Sequence, residues 1–245
     1  MKYINKSIFF ALTSILLLLA QTGNAQQKPF KFGFKLSPAL SWLSPDVDDY
    51  KYNGTSFSFA WGFVADITLM DNYYINTGFN VSYFKGKLLY PHLVVAEDDM
   101  FNVEYTGTLD RVYNLRYIEV PLAFKMKTNE LAPNLQFFGL IGINTGINIR
   151  AKSDDTFSGA NSFSGLKLNY TEEKVDIKDE ASLFKASLLV GAGAEYIIDE
   201  SISVVIGLNF NNGFTNVLNG TNSVDKKVEA KAIPYYFELN LGVIF

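Results

Sequence analysis

The residues best placed for chemistry in this 245-residue sequence are charged side chains inside segments that alternate apolar and small polar residues. By parity these charges fall on the small polar side, and they are Lys35, Asp66, Glu119, Lys125, Lys185, Glu195 and Glu238. Arg116 and Arg150 stand near segment ends. Charges withdrawn from water must be paired, and three lysines nearly balance four carboxylates. We therefore expect a buried polar and charged network; the alternative is a path or gate for protons or ions.

A catalytic site is not expected. His92, the single histidine, follows Pro91 in a predicted loop. A hydrolase or acyltransferase needs a serine, a base and an orienting group together. Neither Ser82 nor the loop carboxylates visibly assemble such a group around His92. We predict that the chain is not an enzyme, and a membrane-embedded lipid-modifying enzyme is the least favoured alternative.

Metal and cofactor sites are not predicted either. The acidic residues of the predicted loops are Asp46, Asp48, Asp49, Glu97, Asp98, Asp99, Asp154 and Asp155. Their spacing lacks the D-x-D-x-D-G pattern of a calcium loop. Gly191-x-Gly193 lies inside a strand pattern and lacks the rest of a dinucleotide fingerprint. We expect no catalytic residue, no metal and no cofactor.

The elements that must position the charges are eight stretches with a period of two. A strand puts successive side chains on opposite faces, so each stretch has one apolar and one polar face. They cover residues 31–42, 56–70, 73–84, 115–126, 135–150, 183–198, 202–211 and 235–245. Each is near or above the 9–11 residues that a tilted strand needs to cross a membrane. Pro121 requires a bulge or a local break in the fourth.

The connections between these strands alternate in length. Short links are predicted at Asp71-Asn72, Thr128–Asn134 and Asp199-Glu200. Longer polar loops are predicted at residues 43–55, 85–114, 151–182 and 212–233. Short periplasmic turns and long external loops are typical of an outer-membrane barrel, and an even number of strands places both termini on the short-turn side.

Lipid is the favoured environment for the apolar face, although a secreted β-sandwich or lipocalin-like barrel has the same alternation. The polar face is mostly Gly, Ser, Ala and Asn, which suits a narrow lumen, and a closed barrel leaves no edge. Aromatic residues expected at the membrane interfaces are Trp42, Trp61, Tyr73, Tyr83, Tyr196, Tyr235 and Phe245. We predict an all-β fold, an eight-stranded antiparallel transmembrane up-and-down β-barrel.

The N-terminus predicts export. Lys2 and Lys6 precede an apolar run, and Gly23-Asn24-Ala25 ends it with small residues, as in a cleaved signal peptide. A membrane-anchoring helix is the rival interpretation, but the run is short for one. We expect a signal peptide at residues 1–25 and one barrel domain at residues 26–245.

Loss of the two lysines takes the formal charge from −4 to −6, which argues against nucleic acid as a partner. The chain has no cysteine, so no disulfide holds it.

Several segments resemble one family. Arg116–Leu122 is similar to the tyrosine–aliphatic–glutamate–aliphatic–proline–leucine stretch of PorT-like outer-membrane β-barrels of Bacteroidetes. Phe32–Ser37, Gly191–Tyr196 and the aromatic-ended strand Tyr235–Phe245 fit the same family. The resemblance implies a small barrel of OmpA/OmpX size in the outer membrane of a Gram-negative bacterium, with periplasmic termini. The founding member is tied to protein secretion and gliding, but family likeness does not transfer that role.

Function is expected at the external loops. Loop aromatics offer a binding surface on a rigid scaffold, and they are Phe101, Tyr105, Tyr113, Phe157 and Phe163. We expect a non-enzymatic barrel with a plugged lumen and an envelope, adhesion or secretion-accessory role. A small channel or transporter is the second hypothesis. Expected partners are outer-membrane lipid, the barrel assembly machinery through the C-terminal strand, and envelope or secretion-system proteins, with no nucleic acid.

Overall fold

The computed structural model describes residues 30–98, 101–199 and 201–245, and the predicted signal peptide lies outside them. The described residues are almost entirely β, with one 3₁₀ turn at Lys178–Glu180. The strands are β1 (Phe30–Pro45), β2 (Lys51–Tyr52), β3 (Ser56–Met70), β4 (Tyr73–Asp98), β5 (Phe101–Lys127), β6 (Leu135–Ala160), β7 (Lys167–Asp176), β8 (Phe184–Ile197), β9 (Ser203–Gly213) and β10 (Ala232–Ile244). Among these residues no helix is long and apolar enough to cross a membrane.

Eight of these strands close into a ring. Their order is β1-β3-β4-β5-β6-β8-β9-β10, and β10 pairs back onto β1 from Gly33–Ile244 to Pro45–Ala232. Every neighbouring pair in the ring is antiparallel. Closure leaves no edge strand in the ring itself. The predicted eight-stranded antiparallel barrel is confirmed.

The two faces of the barrel wall differ as the alternation requires. Outward apolar side chains are about half exposed, among them Phe34 at 54%, Phe57 at 65% and Ile143 at 48%. The side chains between them, such as Ser37 and Asn80, point inward and are buried. An apolar outer surface of this extent suits a hydrocarbon environment and does not suit water.

Three strands run far beyond the predicted lengths. β4, β5 and β6 contain 26, 27 and 26 residues. The prediction of polar loops at 85–114 and 151–182 was therefore wrong. The first is mostly a β4–β5 hairpin, and the second holds the end of β6, β7 and the 3₁₀ turn. β2 pairs with the projecting part of β4, and β7 pairs with that of β6.

The physical reason is that the alternation continues beyond the predicted strand ends with inverted phase. After Tyr83, the inward side chains Phe84 and Leu88 are apolar and buried, whereas Lys85 and Lys87 point outward. The same inversion begins on the paired strands at the cross-strand row Tyr83–Arg116–Arg150. A wall that leaves lipid for water must move its apolar side chains inside. This row therefore marks the end of the lipid-facing wall.

We call the region beyond this row the cap, and it comprises residues 43–52, 84–98, 101–115, 151–182 and 214–236. It has its own hydrophobic core, which includes Leu43, Leu88, Leu109, Tyr113, Phe157, Ile177 and Val217. The opposite end of the barrel is the short-turn end. It carries the links at 71–72 and 128–134, the described residues 198–199 and 201–202 between β8 and β9, and residues 30 and 245.

Pro121 is accommodated by a local break in one ladder, as predicted. Pairing between β4 and β5 stops at Thr77–Leu122 and resumes at Asn80–Glu119 in the same register. On the other side of β5, Pro121 still pairs with Asn144. Its carbonyl oxygen accepts a hydrogen bond from Thr77 Oγ1 at 2.8 Å, which bridges the interruption.

Candidate functional site

A four-charge cluster crosses the lumen near the short-turn end. Lys125 Nζ lies 2.6 Å from Asp66 Oδ2 and 3.8 Å from Glu195 Oε2. Lys127 pairs with Glu195 and lies 4.0 Å from Asp66. Asn76 donates a further hydrogen bond of 2.6 Å to Asp66. The two cations and the two carboxylates are all buried, so each charge is compensated by the others inside the lumen.

The sequence interpretation missed Lys127. The fourth strand was predicted to end at Met126, so the next position was not assigned to a face. β5 ends at Lys127, whose side chain points inward with that of Lys125. A signal was available in the sequence. Lys127 lies two residues after Lys125, so on a continuing strand the two side chains lie on the same face. With Lys127 added, the seven predicted charges become a set of four lysines and four carboxylates, which is balanced.

A second ion pair lies in the lumen closer to the cap. Lys185 Nζ lies 2.6 Å from Glu119 Oε1. Asn144 Nδ2 donates to the other Glu119 oxygen at 2.9 Å. Above the pair, the Lys185 ammonium faces the rings of Tyr117 at 4.5 Å and Tyr236 at 4.8 Å. Both rings belong to the same buried hydrophobic cluster as the cap core, so an aromatic layer covers the pair on the cap side.

The two remaining predicted charges have neutral partners. Glu238 accepts a hydrogen bond of 2.9 Å from Asn209. Lys35 Nζ donates to Asn240 Oδ1 at 3.4 Å. A cavity of about 50 Å³ lies beside them, and its lining includes Lys125 and Phe138. The structure thus divides the seven predicted charges, together with Lys127, into one four-charge cluster, one ion pair and two hydrogen-bonded single charges.

Arg111 organises the interior of the cap. Its guanidinium binds Asp155 through two hydrogen bonds, of 2.8 and 2.6 Å, and reaches Glu180 at 2.5 Å. All three belong to different elements, because they come from β5, β6 and the 3₁₀ turn. Burial of Arg111 would be unfavourable without these two carboxylates. The arrangement ties the β4–β5–β6 extension to the segment that follows β7.

His92 lies in the cap wall and not in a loop. Its Nδ1 is 2.9 Å from Ser223 Oγ, which also accepts a hydrogen bond from the Leu93 backbone N–H at 2.8 Å. Partial burial, with a smaller effect of nearby Arg111, lowers the pKa of His92 below its ordinary value. His92 and Ser223 border a cleft of about 220 Å³ that also includes Tyr50. In the described part of the chain, no three acidic or histidine side chains converge as metal ligands would.

The loop aromatics differ in exposure from the prediction. Tyr105, Tyr113 and Phe157 are buried in the cap core, so the expectation that they form a binding surface was wrong. The reason is again that apolar side chains above the lipid-facing wall turn inward. Phe163, in the β6–β7 connection, is fully exposed. The side chain of Phe101 lies outside the described residues.

Comparison with known proteins agrees with this architecture. Residues 20–219 match the family model described as outer membrane protein beta-barrel domain. The chain belongs to this family. The family's description places this β-barrel in the outer membrane, the outermost membrane of Gram-negative bacteria. A comparison with curated proteins finds no match.

Solved structures of outer-membrane barrels are similar to this barrel. Neisserial surface protein A is 10% identical, with 89% of this chain and 96% of that one covered and a TM-score of 0.43. OprG of Pseudomonas aeruginosa is 10% identical, with coverages of 88% and 95% and a TM-score of 0.45. Ail, the attachment invasion locus protein of Yersinia pestis, is 13% identical, with coverages of 89% and 100% and a TM-score of 0.35.

The predicted interface aromatics of this outer-membrane barrel lie on its outer face. Toward the cap are Trp42, Trp61, Tyr83 and Tyr235, and at the short-turn end are Tyr73, Tyr196 and Phe245. Trp42 stacks on Tyr235 with ring centroids 5.7 Å apart. Trp61 lies within β3 and pairs with Leu36 and Val81. Their assignment to the membrane interfaces stays a prediction.

Proposed function

We propose that this outer-membrane barrel is a non-enzymatic protein with a filled lumen, acting at the cell surface through its cap. The observation that carries the proposal is the succession of buried groups along the barrel interior. The four-charge cluster, the Lys185–Glu119 pair and the aromatic layer of the cap follow one another. Eight-stranded barrels have room for side chains and little else.

A channel or transporter is the second candidate, favoured only by the 50 Å³ cavity beside Lys35 and Lys125. Planar-bilayer recording of the purified protein separates the two functions. A filled lumen predicts no conductance steps above the background of protein-free bilayers. Reproducible steps that change on Lys125→Ala would refute the filled lumen and support conduction.

The proposed orientation places the cap outside the cell and both termini in the periplasm. Support comes from the short links beside residues 30 and 245 and the long hairpins at the other end. Since the chain has no cysteine, single replacements report without background. An impermeant maleimide on whole cells should label Ala160→Cys and spare Asp199→Cys. The reverse pattern would overturn the orientation.

The cap offers an exposed apolar tip for an envelope, adhesion or secretion partner. Phe163 is fully exposed and Leu166 is 62% exposed in the same β6–β7 connection. Exposed apolar residues on a rigid hairpin are typical of contact sites. A photo-crosslinking residue at position 163 should capture an envelope protein in native membranes, whereas one at outward position 143 in the lipid-facing wall should not. Equal capture at both positions would contradict a cap-mediated role.

The narrower form of the proposal is a secretion-accessory role of the PorT-like kind in Bacteroidetes. It is supported by the similarity of Arg116–Leu122 to that family's stretch. The remaining proposed partners are outer-membrane lipid and the barrel assembly machinery, which would engage the C-terminal strand β10 during insertion. Nucleic acid is not a proposed partner. Capture of a secretion-system component at position 163 would support the narrower role, and capture of only unrelated envelope proteins would contradict it.

A further inference from the structure

A cationic cleft lies on the outside of the barrel, where the lipid-facing wall ends. Its volume is about 380 Å³. Five cationic residues line it, namely Lys85, Arg116, Arg150, Lys152 and Lys174. They come from four neighbouring strands, β4, β5, β6 and β7. The cleft therefore depends on the strand pairing, since the sequence separates its residues widely.

The register explains how the cations come together. Tyr83, Arg116 and Arg150 form one cross-strand row, and Lys85, Asn114 and Lys152 form the parallel row two residues farther into the cap. Side chains of the same face in adjacent rows are near neighbours. The alternation points these side chains outward, away from the cap core.

The cations lack carboxylate partners of their own. Among the described residues, the ion pairs include none of the five. The acids in the cleft are Asp154 and Glu173. Asp154 is already engaged, because it accepts hydrogen bonds from Asn114 Nδ2 at 2.8 Å and from the Lys174 backbone N–H at 2.9 Å. An excess of positive charge remains.

Arg116 is positioned to bind an anionic ligand. Its guanidinium lies over the Tyr83 ring at 4.5 Å, and its buried Nε has no hydrogen-bond partner. A guanidinium fixed on an aromatic ring retains donors for a planar or tetrahedral anion. A buried donor with no acceptor is unfavourable, so an anion that supplies an oxygen there would relieve it.

An apolar surface lies directly below the cleft. The next row toward the short-turn end is Val81, Ile118 and Ile147, on the same outward face. Ile147 is 54% exposed, and Ile149 beside it is 48% exposed. A ligand that fits both surfaces is amphipathic, with an anionic group at the cations and alkyl chains along the isoleucines. At the same end, the opposite side of the ring carries the aromatic group Trp42, Tyr235, Phe210 and Phe237 instead.

We propose that this cleft binds the phosphate groups of a phosphorylated glycolipid of the outer leaflet, with its acyl chains lying on the apolar wall below; the choice of leaflet rests on the proposed orientation of the cap. Phosphate suits the site because arginine and lysine donors surround it and bidentate contact with Arg116 or Arg150 is available. Lipid, and not free phosphate, is the occupant because the cations and the isoleucine surface are continuous. The placement at the row where the alternation inverts sets the headgroup at the membrane surface.

The test is native mass spectrometry of the full chain in nanodiscs, titrated with lipid A that carries two phosphates. Parallel titrations use the dephosphorylated lipid and inorganic phosphate. The double variant Arg150→Gln/Lys152→Gln removes two cleft charges. The matched control, Lys226→Gln/Lys227→Gln, removes two exposed charges elsewhere in the cap. A salt titration of the unaltered protein tests the same claim without any variant.

We expect the cleft variant to bind the bisphosphorylated lipid at least tenfold more weakly than the unaltered protein does. The control variant should bind this lipid as the unaltered protein does, and high salt should weaken binding by the unaltered protein. Equal binding by the cleft variant, or equal loss in both variants, would overturn the proposal. So would equal affinity for the dephosphorylated lipid. Inorganic phosphate that binds as tightly as the lipid would refute a lipid site.

Discussion

Lys185 and Glu119 form an ion pair of 2.6 Å inside the barrel, directly beneath the aromatic layer of the cap. They come from β8 and β5, which are separated in the ring by β6. The strand between them carries Gly146 at this level, and a Cβ there would lie 3.1 Å from Lys185 Cε and 3.2 Å from Glu119 Cγ. Because Gly146 has no side chain, Lys185 and Glu119 can reach each other across β6.

Removal of one partner of this pair should destabilise the barrel. Glu119→Ala leaves the Lys185 ammonium buried without a carboxylate, which typically costs about 3–5 kcal/mol. The measurement is urea unfolding in detergent micelles or vesicles, followed by tryptophan fluorescence. The double variant Glu119→Ala/Lys185→Met should recover part of the loss, because no unpaired charge remains. Unchanged stability of Glu119→Ala would count against a paired, filled lumen.

Gly146→Ala should also destabilise the barrel, by about 1–3 kcal/mol, because the added methyl group overpacks the Lys185–Glu119 contact. Gly139→Ala on the same strand is the matched control. A Cβ at position 139 has its nearest neighbour at 4.0 Å, the carbonyl oxygen of Gly191, so this variant should be near neutral. Urea midpoints of the two variants check the difference, and equal midpoints would contradict it.

Arg111 should stabilise the cap without being needed for the barrel. Arg111→Ala leaves Asp155 buried without its bidentate partner and releases Glu180. We expect hydrogen exchange to increase tenfold or more in residues 151–182, with little change in the lipid-facing parts of β8 and β9. Arg116→Ala, which breaks no ion pair, is the control. Protection that is lost equally throughout the barrel would refute an independent cap.

The packing of the cap around His92 should be less stable in acid, so that this part of the cap opens more often. Burial and Arg111 lower the pKa of His92 in the folded chain, whereas Asp155 and Glu180 act in the opposite direction. When the cap opens, the pKa of His92 returns to about 6.5, so His92 binds a proton more readily in the open cap than in the closed one. The closed cap therefore loses stability as the pH falls below that value. Hydrogen exchange of residues 214–228, corrected for intrinsic rates, should be faster at pH 5.5 than at pH 7.5. His92→Gln should remove this difference, and its persistence in that variant would assign it to another group.

The strand pattern was predictable because lipid and lumen impose one rule on every residue of the wall. Ser56–Met70 is observed with the predicted bounds, and the other seven predicted segments each overlap one ring strand. The inward parity of Asp66, Glu119 and Lys185 was likewise readable, and all three are buried. The sequence interpretation did not anticipate that the strands continue beyond the lipid-facing wall. It therefore assigned residues from Lys85 onward to a loop, although the alternation continues there with inverted phase.

The sequence by itself determined the period-two wall, its apolar and small polar faces, and the near balance of inward charges, because strand geometry and a two-sided environment act locally. The tertiary structure alone decided which charges meet, since pairing depends on strand register. It joined Lys127 to Glu195, placed Gly146 between Lys185 and Glu119, and brought Ser223 to His92. The cap core and the cationic cleft likewise exist only once β4, β5 and β6 are aligned, because their residues are distant in the chain.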